Sequence, residues 1–367
     1  WPGRGQGGWS KGFFRTLLAP SPGNYPSSDE PTTCVGSCCI WVMLYNGSTA
    51  GLCSPREPRA RPASASPMIK TLRISRFKSI KELSLDCRRI NVLIGEPNTG
   101  KSNILEALGM FSFLYSSSLV GAGAPIKNFV RFERVSNLFY DENLDHPLEI
   151  QCDNTAFLKM DFRNGAFVGR SNYSDGAAIE IIGSHSDLSV SSSSGPVAKI
   201  APPIKFYRFS VKEAFGRQIT EFLLPPSGDN LLSLLLANRE LRSTVNLPFL
   251  SRGLRLGLRP QEGKIEVVKQ FEDVIISYPY SLASETLQRV TFYLAAILSN
   301  KQSVLVFEEP ESHSFPYYTK YLAELIALDQ NENQYFISTH NPYFLLPVLE
   351  KAPKDDVSVN IVYYENY

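Results

Sequence analysis

The sequence predicts an α/β fold with a mainly parallel core sheet, helices on its flanks and an antiparallel β lobe. Three short, nearly continuous apolar runs predict the core sheet, because strands of a parallel sheet that is covered on both faces read in this way. These runs are Ile90–Ile94, residues 304–307 and residues 335–338. Short strand-like segments between the first and second runs predict the antiparallel lobe.

The composition is that of a chain that buries a full core. It has 367 residues, 43% of them hydrophobic, and a formal net charge of +1, which excludes disorder of the whole chain. No apolar run approaches the roughly 18–20 residues of a membrane-spanning helix, so a membrane channel or carrier is excluded. Only Cys87 and Cys152 follow residue 67, which suits a reducing cytosol, and we expect a cytoplasmic protein. The near-neutral charge gives no overall reason to bind DNA, which would need a local basic patch.

Residues 1–67 differ from the rest in composition. They contain all three Trp and four of the six Cys, and they show no sustained period of 2 or 3.6 residues. Their residue order does not fit a secretory signal, and their cysteines do not form the paired knuckles of a zinc site. We expect residues 1–67 to be disordered or a non-native extension, and residues 68–367 to form one enzyme-sized domain.

The first apolar run leads into a phosphate-binding motif. Residues 95–102 read GEPNTGKS and match GxxxxGK[ST]. In such a loop, backbone N–H groups surround phosphate oxygens, Lys101 reaches the β- and γ-phosphates, and the Ser102 hydroxyl ligates Mg²⁺. Apolar residues then recur at helical spacing from Ile104 to Phe111, so the loop opens a helix whose N-terminal dipole also favours the anion. A Gly-rich turn without a ligand is the alternative, which this strand–loop–helix context disfavours.

Two acids directly follow the second run. Glu308 and Glu309 lie at its carboxyl end, where ligands bind in open α/β sheets. Phosphoryl transfer to water needs a metal at the phosphate oxygens and a polarised water. We therefore assign Glu308 to the metal, together with Ser102, and Glu309 to the attacking water. Alone, the pair would equally fit an exposed acidic strand end.

Two further side chains are candidates for phosphate contacts. His340 follows the third run at the same relative position as the acids follow theirs, so we expect it to reach a γ-phosphate oxygen rather than to be structural. Ser284 precedes a helical pattern and is predicted to cap that helix. Whether Ser284 is only a cap, or binds a phosphate held by a second molecule, stays open.

The segment between the motifs predicts few long elements. Short strands are expected at Leu148–Cys152 and in the ranges 156–162, 166–170 and 178–182, with a Ser-rich loop over residues 183–196. Residues 229–242 read as one helix. Sustained heptads are missing from this segment, so the long coiled coil of SMC-like chains is not expected.

In this order, the motifs resemble those of ABC-type ATPases of the AAA family grouping that includes RecF-like, SMC-like and overcoming-lysogenization-defect (OLD) proteins. Residues 72–80, LRISRFKSI, are similar to the lead strand of the family, and residues 100–108, GKSNILEAL, are very like its phosphate-loop helix. Residues 309–311, EPE, resemble the end of its "DEPE" motif, and residues 338–342, STHNP, resemble its "STHSP" switch. The resemblance spans nearly all of residues 68–367.

This resemblance implies a P-loop NTPase of the ABC/SMC-head type, with residues 68–367 as the ATPase domain and residues 145–210 as an inserted β-rich lobe. It implies ATP and Mg²⁺ as cofactors, Glu309 as catalytic base, His340 as γ-phosphate switch and Ser284 as signature serine. Two heads of this family sandwich two ATP molecules, which implies a homodimer. The motif and the resemblance together assign nucleotide or metal contacts to Gly95, Glu96, Pro97, Asn98, Thr99, Gly100, Lys101, Ser102, Asn103, Ser284 and Glu308.

Two functions follow as hypotheses. The first is an ATPase that hydrolyses ATP to ADP with Mg²⁺ and couples this to head dimerisation and control of a partner. The second is a nucleotide-gated clamp on DNA or protein with negligible hydrolysis, suggested by Glu308 in the place of the usual Asp and by the missing glycine beside Ser284. We expect any nuclease or other effector to be a separate protein.

Overall fold

The computed structural model describes residues 68–367, except for residues 121–123, 155, 174–177, 185, 195–202, 217 and 364–367. The predicted N-terminal extension, residues 1–67, lies outside the described residues. The strands in chain order are β1 (Thr71–Phe77), β2 (Ile80–Asp86), β3 (Ile90–Ile94), β4 (Leu148–Cys152), β5 (Ala156–Arg163), β6 (Ala166–Tyr173), β7 (Ala178–Gly183), β8 (Leu188–Ser194), β9 (Ile204–Tyr207), β10 (Leu254–Arg259), β11 (Lys264–Phe271), β12 (Val274–Pro279), β13 (Val304–Glu308), β14 (Gln334–Ser338) and β15 (Val357–Ile361). The α-helices are α1 (Lys101–Val120), α2 (Leu231–Ala237), α3 (Arg239–Leu250), α4 (Glu285–Ser299), α5 (Pro316–Ala327) and α6 (Pro342–Lys351).

The core sheet is parallel, as the apolar runs predict. Its five strands have the order β15-β3-β14-β13-β9, and every pairing in it is parallel. The register sets Glu308 opposite Ser338 and Ser338 opposite Leu93. The three predicted strands are therefore neighbours, and the loops that follow them start at the same edge of the sheet.

Both faces of the parallel sheet are covered, which explains why its strands read as continuous apolar runs. Val304 and Val306 pack on one side, in a core shared with α1 and β1. Leu305 and Phe307 pack on the other side, in a core shared with α4 and α5. The fold is thus α/β, with a parallel core sheet covered on both faces, as predicted.

The antiparallel sheet has seven strands in the order β2-β1-β4-β5-β6-β7-β8. The hairpin at the start of the described chain, β1 and β2, belongs to the same sheet as the strands of the predicted lobe, because β1 pairs with β4. Strand β9 lies inside the range 145–210 but pairs with β13 in the parallel sheet. The division of the chain into domains stays a prediction.

Two local predictions are wrong, and one sheet was missed. The Ser-rich stretch predicted as a loop contains β8, which pairs with β7. The helix predicted over residues 229–242 is divided into α2 and α3, because Asn238 takes an extended backbone (φ −110°, ψ 103°) and its side chain accepts the Leu241 N–H. The three-stranded sheet β10-β11-β12 was not predicted.

Candidate active site

A cavity of about 700 Å³ opens at the carboxyl edge of the parallel sheet, within the usual range of small-molecule sites. Four cationic and two acidic side chains line it, so it carries an excess of positive charge that suits a polyphosphate. The lining consists of residues 97–103, Arg131, Arg208, Phe209, Arg289, Tyr293, Glu308, Glu309, Ser312 and His313.

The phosphate loop has the geometry that its glycines predict. Gly100 has φ +96°, a backbone conformation in which a residue with a side chain would be strained. A Cβ on Gly95 would lie 2.1 Å from the Val362 carbonyl oxygen. The Lys101 amine donates to the carbonyl oxygens of Gly95 at 2.7 Å and Glu96 at 2.5 Å. The loop is therefore closed around its own lysine. Pro97, Asn98, Thr99, Gly100, Lys101, Ser102 and Asn103 line the cavity, whereas the described lining residues do not include Gly95 and Glu96.

Glu308 lies beside Ser102, as the assignment of both residues to one metal requires. Burial favours a higher pKa for Glu308, but the Ser102 hydroxyl and the guanidinium groups of Arg131 and Arg208 outweigh it and lower the pKa. The distances to the two carboxylate oxygens are 2.7 Å from Arg131 and 3.2 Å from Arg208. Glu308 is therefore held in its ionised form, with a guanidinium at each oxygen.

Sequence reasoning missed the group that holds these two arginines. Glu106, with a side chain 1% exposed, accepts from Arg131 at 2.6 Å and from Arg208 at 3.2 Å, and it also pairs with Lys78. A carboxylate this deeply buried requires such partners. Its position inside an otherwise apolar helix start is a usable signal, whereas no pattern in the sequence points to Arg131 or Arg208.

Glu309 and His340 lie together. Nδ1 of His340 is 3.3 Å from Oε1 of Glu309, and the Ser312 hydroxyl donates to Oε2 at 3.2 Å. Glu309 has φ +43°, and its N–H donates to the Ser338 carbonyl at 3.0 Å, which joins the ends of β13 and β14. Glu309 lines the cavity, whereas the described lining residues do not include His340.

Ser284 has the predicted position at a helix start. Its hydroxyl accepts the Leu287 N–H at 3.4 Å and caps α4, and it is not one of the described residues that line the cavity. A contact with a phosphate held by a second molecule stays a prediction. The helix instead contributes Arg289 to the cavity, a residue that sequence reasoning missed, which pairs with Glu285 at 2.8 Å and lies 4.8 Å from the Phe209 ring centroid.

The residues present fit a magnesium ion. The Ser102 hydroxyl and the Glu308 carboxylate supply the hard oxygen ligands that Mg²⁺ prefers, and Mg²⁺ takes few protein ligands when phosphates complete its shell. In the part of the chain that the structure describes, no cluster of three or more His, Cys, Asp or Glu side chains could hold a metal alone. Phosphate oxygens and water would therefore have to complete the coordination.

Two family models match parts of the chain. Residues 276–346 match the family described as "AAA domain, putative AbiEii toxin, Type IV TA system". Residues 68–117, which contain the phosphate loop, match the family "Protein of unknown function (DUF2813)". The predicted resemblance to AAA and ABC-type P-loop ATPases is confirmed.

Individual relatives are distant. An uncharacterized protein of Methanocaldococcus jannaschii is 29% identical over 103 residues, which is 26% of this chain and 45% of the relative. Among solved structures, an Smc head bound to the C-winged helix domain of ScpA is 17% identical with a TM-score of 0.46, and a Pyrococcus furiosus Smc head bound to the C-terminal domain of ScpA is 15% identical with a TM-score of 0.43. Each match covers 77% of this chain and 92% of the other.

None of the helices in the described residues has the length and apolar character needed to cross a membrane.

Proposed function

We propose, on the premise that this chain carries an AAA/ABC-type P-loop ATPase head, that it hydrolyses ATP to ADP with Mg²⁺ and couples hydrolysis to dimerisation of heads and control of a partner. The observation that carries the proposal is the convergence of the phosphate loop, Glu308 and Glu309 on one cavity. A loop alone would support binding only. The acids beside it add the groups that phosphoryl transfer to water requires.

Each residue has a chemical role in this proposal. The N–H groups of residues 98–102 and the Lys101 amine bind the phosphates, while Ser102 and Glu308 would hold Mg²⁺, which would neutralise phosphate charge. Glu309 accepts a proton as the water oxygen bonds to the γ-phosphorus, and the bond from that phosphorus to the β–γ bridging oxygen breaks. ADP and phosphate are the products. His340, in contact with Glu309, orients the carboxylate.

Replacing Glu309 by Gln tests the assigned base. Loss of a positioned general base typically costs 10²- to 10⁴-fold in rate, so the variant should bind a fluorescent ATP analogue normally while phosphate release falls by about that factor. Lys101→Ala is the matched control and should lose binding itself. Phosphate release by the Glu309 variant at the wild-type rate would remove Glu309 from the mechanism.

Dimerisation rests on the resemblance and needs its own measurement. Light scattering of the purified chain with and without ATP should show a doubled mass in the Glu309→Gln variant, because ATP that is not hydrolysed keeps two heads together. A monomer at saturating ATP would contradict the coupling while leaving the hydrolysis proposal intact.

The clamp with negligible hydrolysis is the second candidate, and one observation favours it. Each oxygen of Glu308 is paired with an arginine, and the Lys101 amine donates to loop carbonyls, so a metal and a phosphate would have to compete with these contacts. A clamp would bind ATP and dimerise but release phosphate no faster than Lys101→Ala. DNA that is retained only when ATP is present would be the ligand of such a clamp, although the near-neutral net charge gives no overall reason to bind DNA.

A further inference from the structure

A buried acid lies between the two loops that carry Glu309 and His340. Glu311 follows Glu309 by two residues and is 4% exposed. It is not one of the described residues that line the cavity. Its Oε1 accepts a hydrogen bond from the Thr339 hydroxyl, and Thr339 directly precedes His340. This single side chain therefore connects the loop after β13 with the loop after β14.

Thr339 is hydrogen-bonded to the backbone of Asn341, on the other side of His340, and to the backbone of Leu93. Its hydroxyl oxygen accepts the Asn341 N–H at 3.0 Å, and its own N–H donates to the Leu93 carbonyl at 3.0 Å. The backbone is thus held on both flanks of the histidine. Because Asn341 also caps α6, movement of Thr339 would displace the histidine and the helix start together.

A carboxyl group is a costly choice for a simple link. Among the described residues, Oε2 of Glu311 has no hydrogen-bond partner, and burying an ionised oxygen without a partner is expensive. A neutral amide or hydroxyl would accept the Thr339 hydrogen bond without that cost. The use of a glutamate here points to a role for its proton.

The charge of Glu311 responds to the site. Burial raises its pKa to about 7, the Thr339 hydrogen bond opposes this, Glu309 raises the pKa further and His340 lowers it. The other facing titratable group is the buried hydroxyl of Tyr293. The carboxyl therefore changes charge near neutral pH, and only the ionised form makes a charge-assisted hydrogen bond to Thr339.

We propose that Glu311 is a positioning residue, which holds His340 against Glu309 through the Thr339 hydroxyl and does so more firmly when it is ionised. The proposal rests on the proposed ATPase function for its effect on turnover, but the link itself can be tested separately from turnover. Glu311 touches neither the cavity nor the assigned metal ligands, so it acts through its neighbours.

The link can be tested in the nucleotide-free full chain. The sequence has four histidines, so selective ¹³C labelling gives a simple spectrum in which His340→Gln assigns the His340 signal. Besides the change caused by protonation of its own ring, the His340 shift should show a second step near pH 7, which is missing in Glu311→Gln and in Thr339→Val and present in the exposed control Glu350→Gln. An unchanged His340 curve in both variants would overturn the proposal, whether or not the protein hydrolyses ATP.

Turnover gives the second readout. Thr339→Val should lower kcat by about tenfold or more, because small misplacements of catalytic groups are costly, while nucleotide affinity stays unchanged and Thr339→Ser restores kcat. Glu311→Gln should lose the gain of about fivefold in kcat that ionisation gives above pH 7. A wild-type pH profile in Glu311→Gln would overturn the proposal, whereas wild-type turnover no higher than that of Lys101→Ala would refute the ATPase function instead.

Discussion

The stability of the protein should depend on the proton of Glu311. Burial raises the pKa of this carboxyl from its ordinary value of 4.5 to about 7, so the folded state binds the proton more tightly than the unfolded state. That stabilisation is fully present below pH 4.5 and is lost as the pH rises through 7. Glutamine has nearly the same shape, keeps an acceptor for Thr339 and cannot ionise.

The magnitude follows from the two pKa values. At 1.36 kcal/mol for each pH unit, the contribution lost between pH 5 and pH 8 is about 2–3 kcal/mol. The free energy of unfolding of Glu311→Gln, measured against that of the wild type, should therefore rise by this amount over the same range. Any cost of the substitution that does not depend on pH changes the free-energy difference equally at pH 5 and pH 8, so it does not affect the predicted rise between them.

Urea unfolding followed by circular dichroism at pH 5, 6, 7 and 8 measures this difference. Glu350→Gln removes an exposed carboxylate of α6 and should give a difference that stays within about 0.5 kcal/mol across the range. A flat difference for Glu311→Gln as well would mean that the carboxyl ionises as it does in water, and the reasoning from its burial would be refuted.

Two further predictions concern the ion pairs and the helix cap. Glu106→Ala should lower the free energy of unfolding in urea by about 3–5 kcal/mol, because it leaves the cations of Lys78, Arg131 and Arg208 without their buried partner. The control Glu133→Ala, at an exposed position, should lower it by less than about 0.5 kcal/mol. Equal losses in the two variants would contradict the prediction. Ser284→Ala should cost about 1 kcal/mol as a lost cap, and a simultaneous loss of the ATP-dependent mass increase in light scattering would reveal the additional phosphate contact across a dimer.

The site could be predicted from the sequence where its residues are contiguous in the chain or directly follow a predicted strand. The phosphate loop is contiguous, so its residues could be named directly, and the acids and His340 were found because parallel strands bring their carboxyl ends to one edge. The ends of β3, β13 and β14 are neighbours in the structure as this argument requires.

The rest of the site depends on tertiary contacts that have no local signal. Glu106, Arg131 and Arg208 come from a helix, an irregular segment and the end of β9, and they form one ion-pair group only after folding. The division at Asn238 was missed for a related reason, since helical periodicity continues across a residue whose side chain starts a new helix. Burial of Glu311 likewise could not be read from the EPE motif.

The shared antiparallel sheet limits how this protein can change. Strand β1 is hydrogen-bonded to β2 on one side and to β4 on the other. Removing β4 and the strands after it would therefore leave one edge of β1 unpaired, in the hairpin that precedes the phosphate loop. An exposed edge of that kind invites pairing with other chains. Evolution and engineering can therefore lengthen or shorten the far strands of this sheet, but exchanging it as a cassette would expose the start of the nucleotide-binding fold.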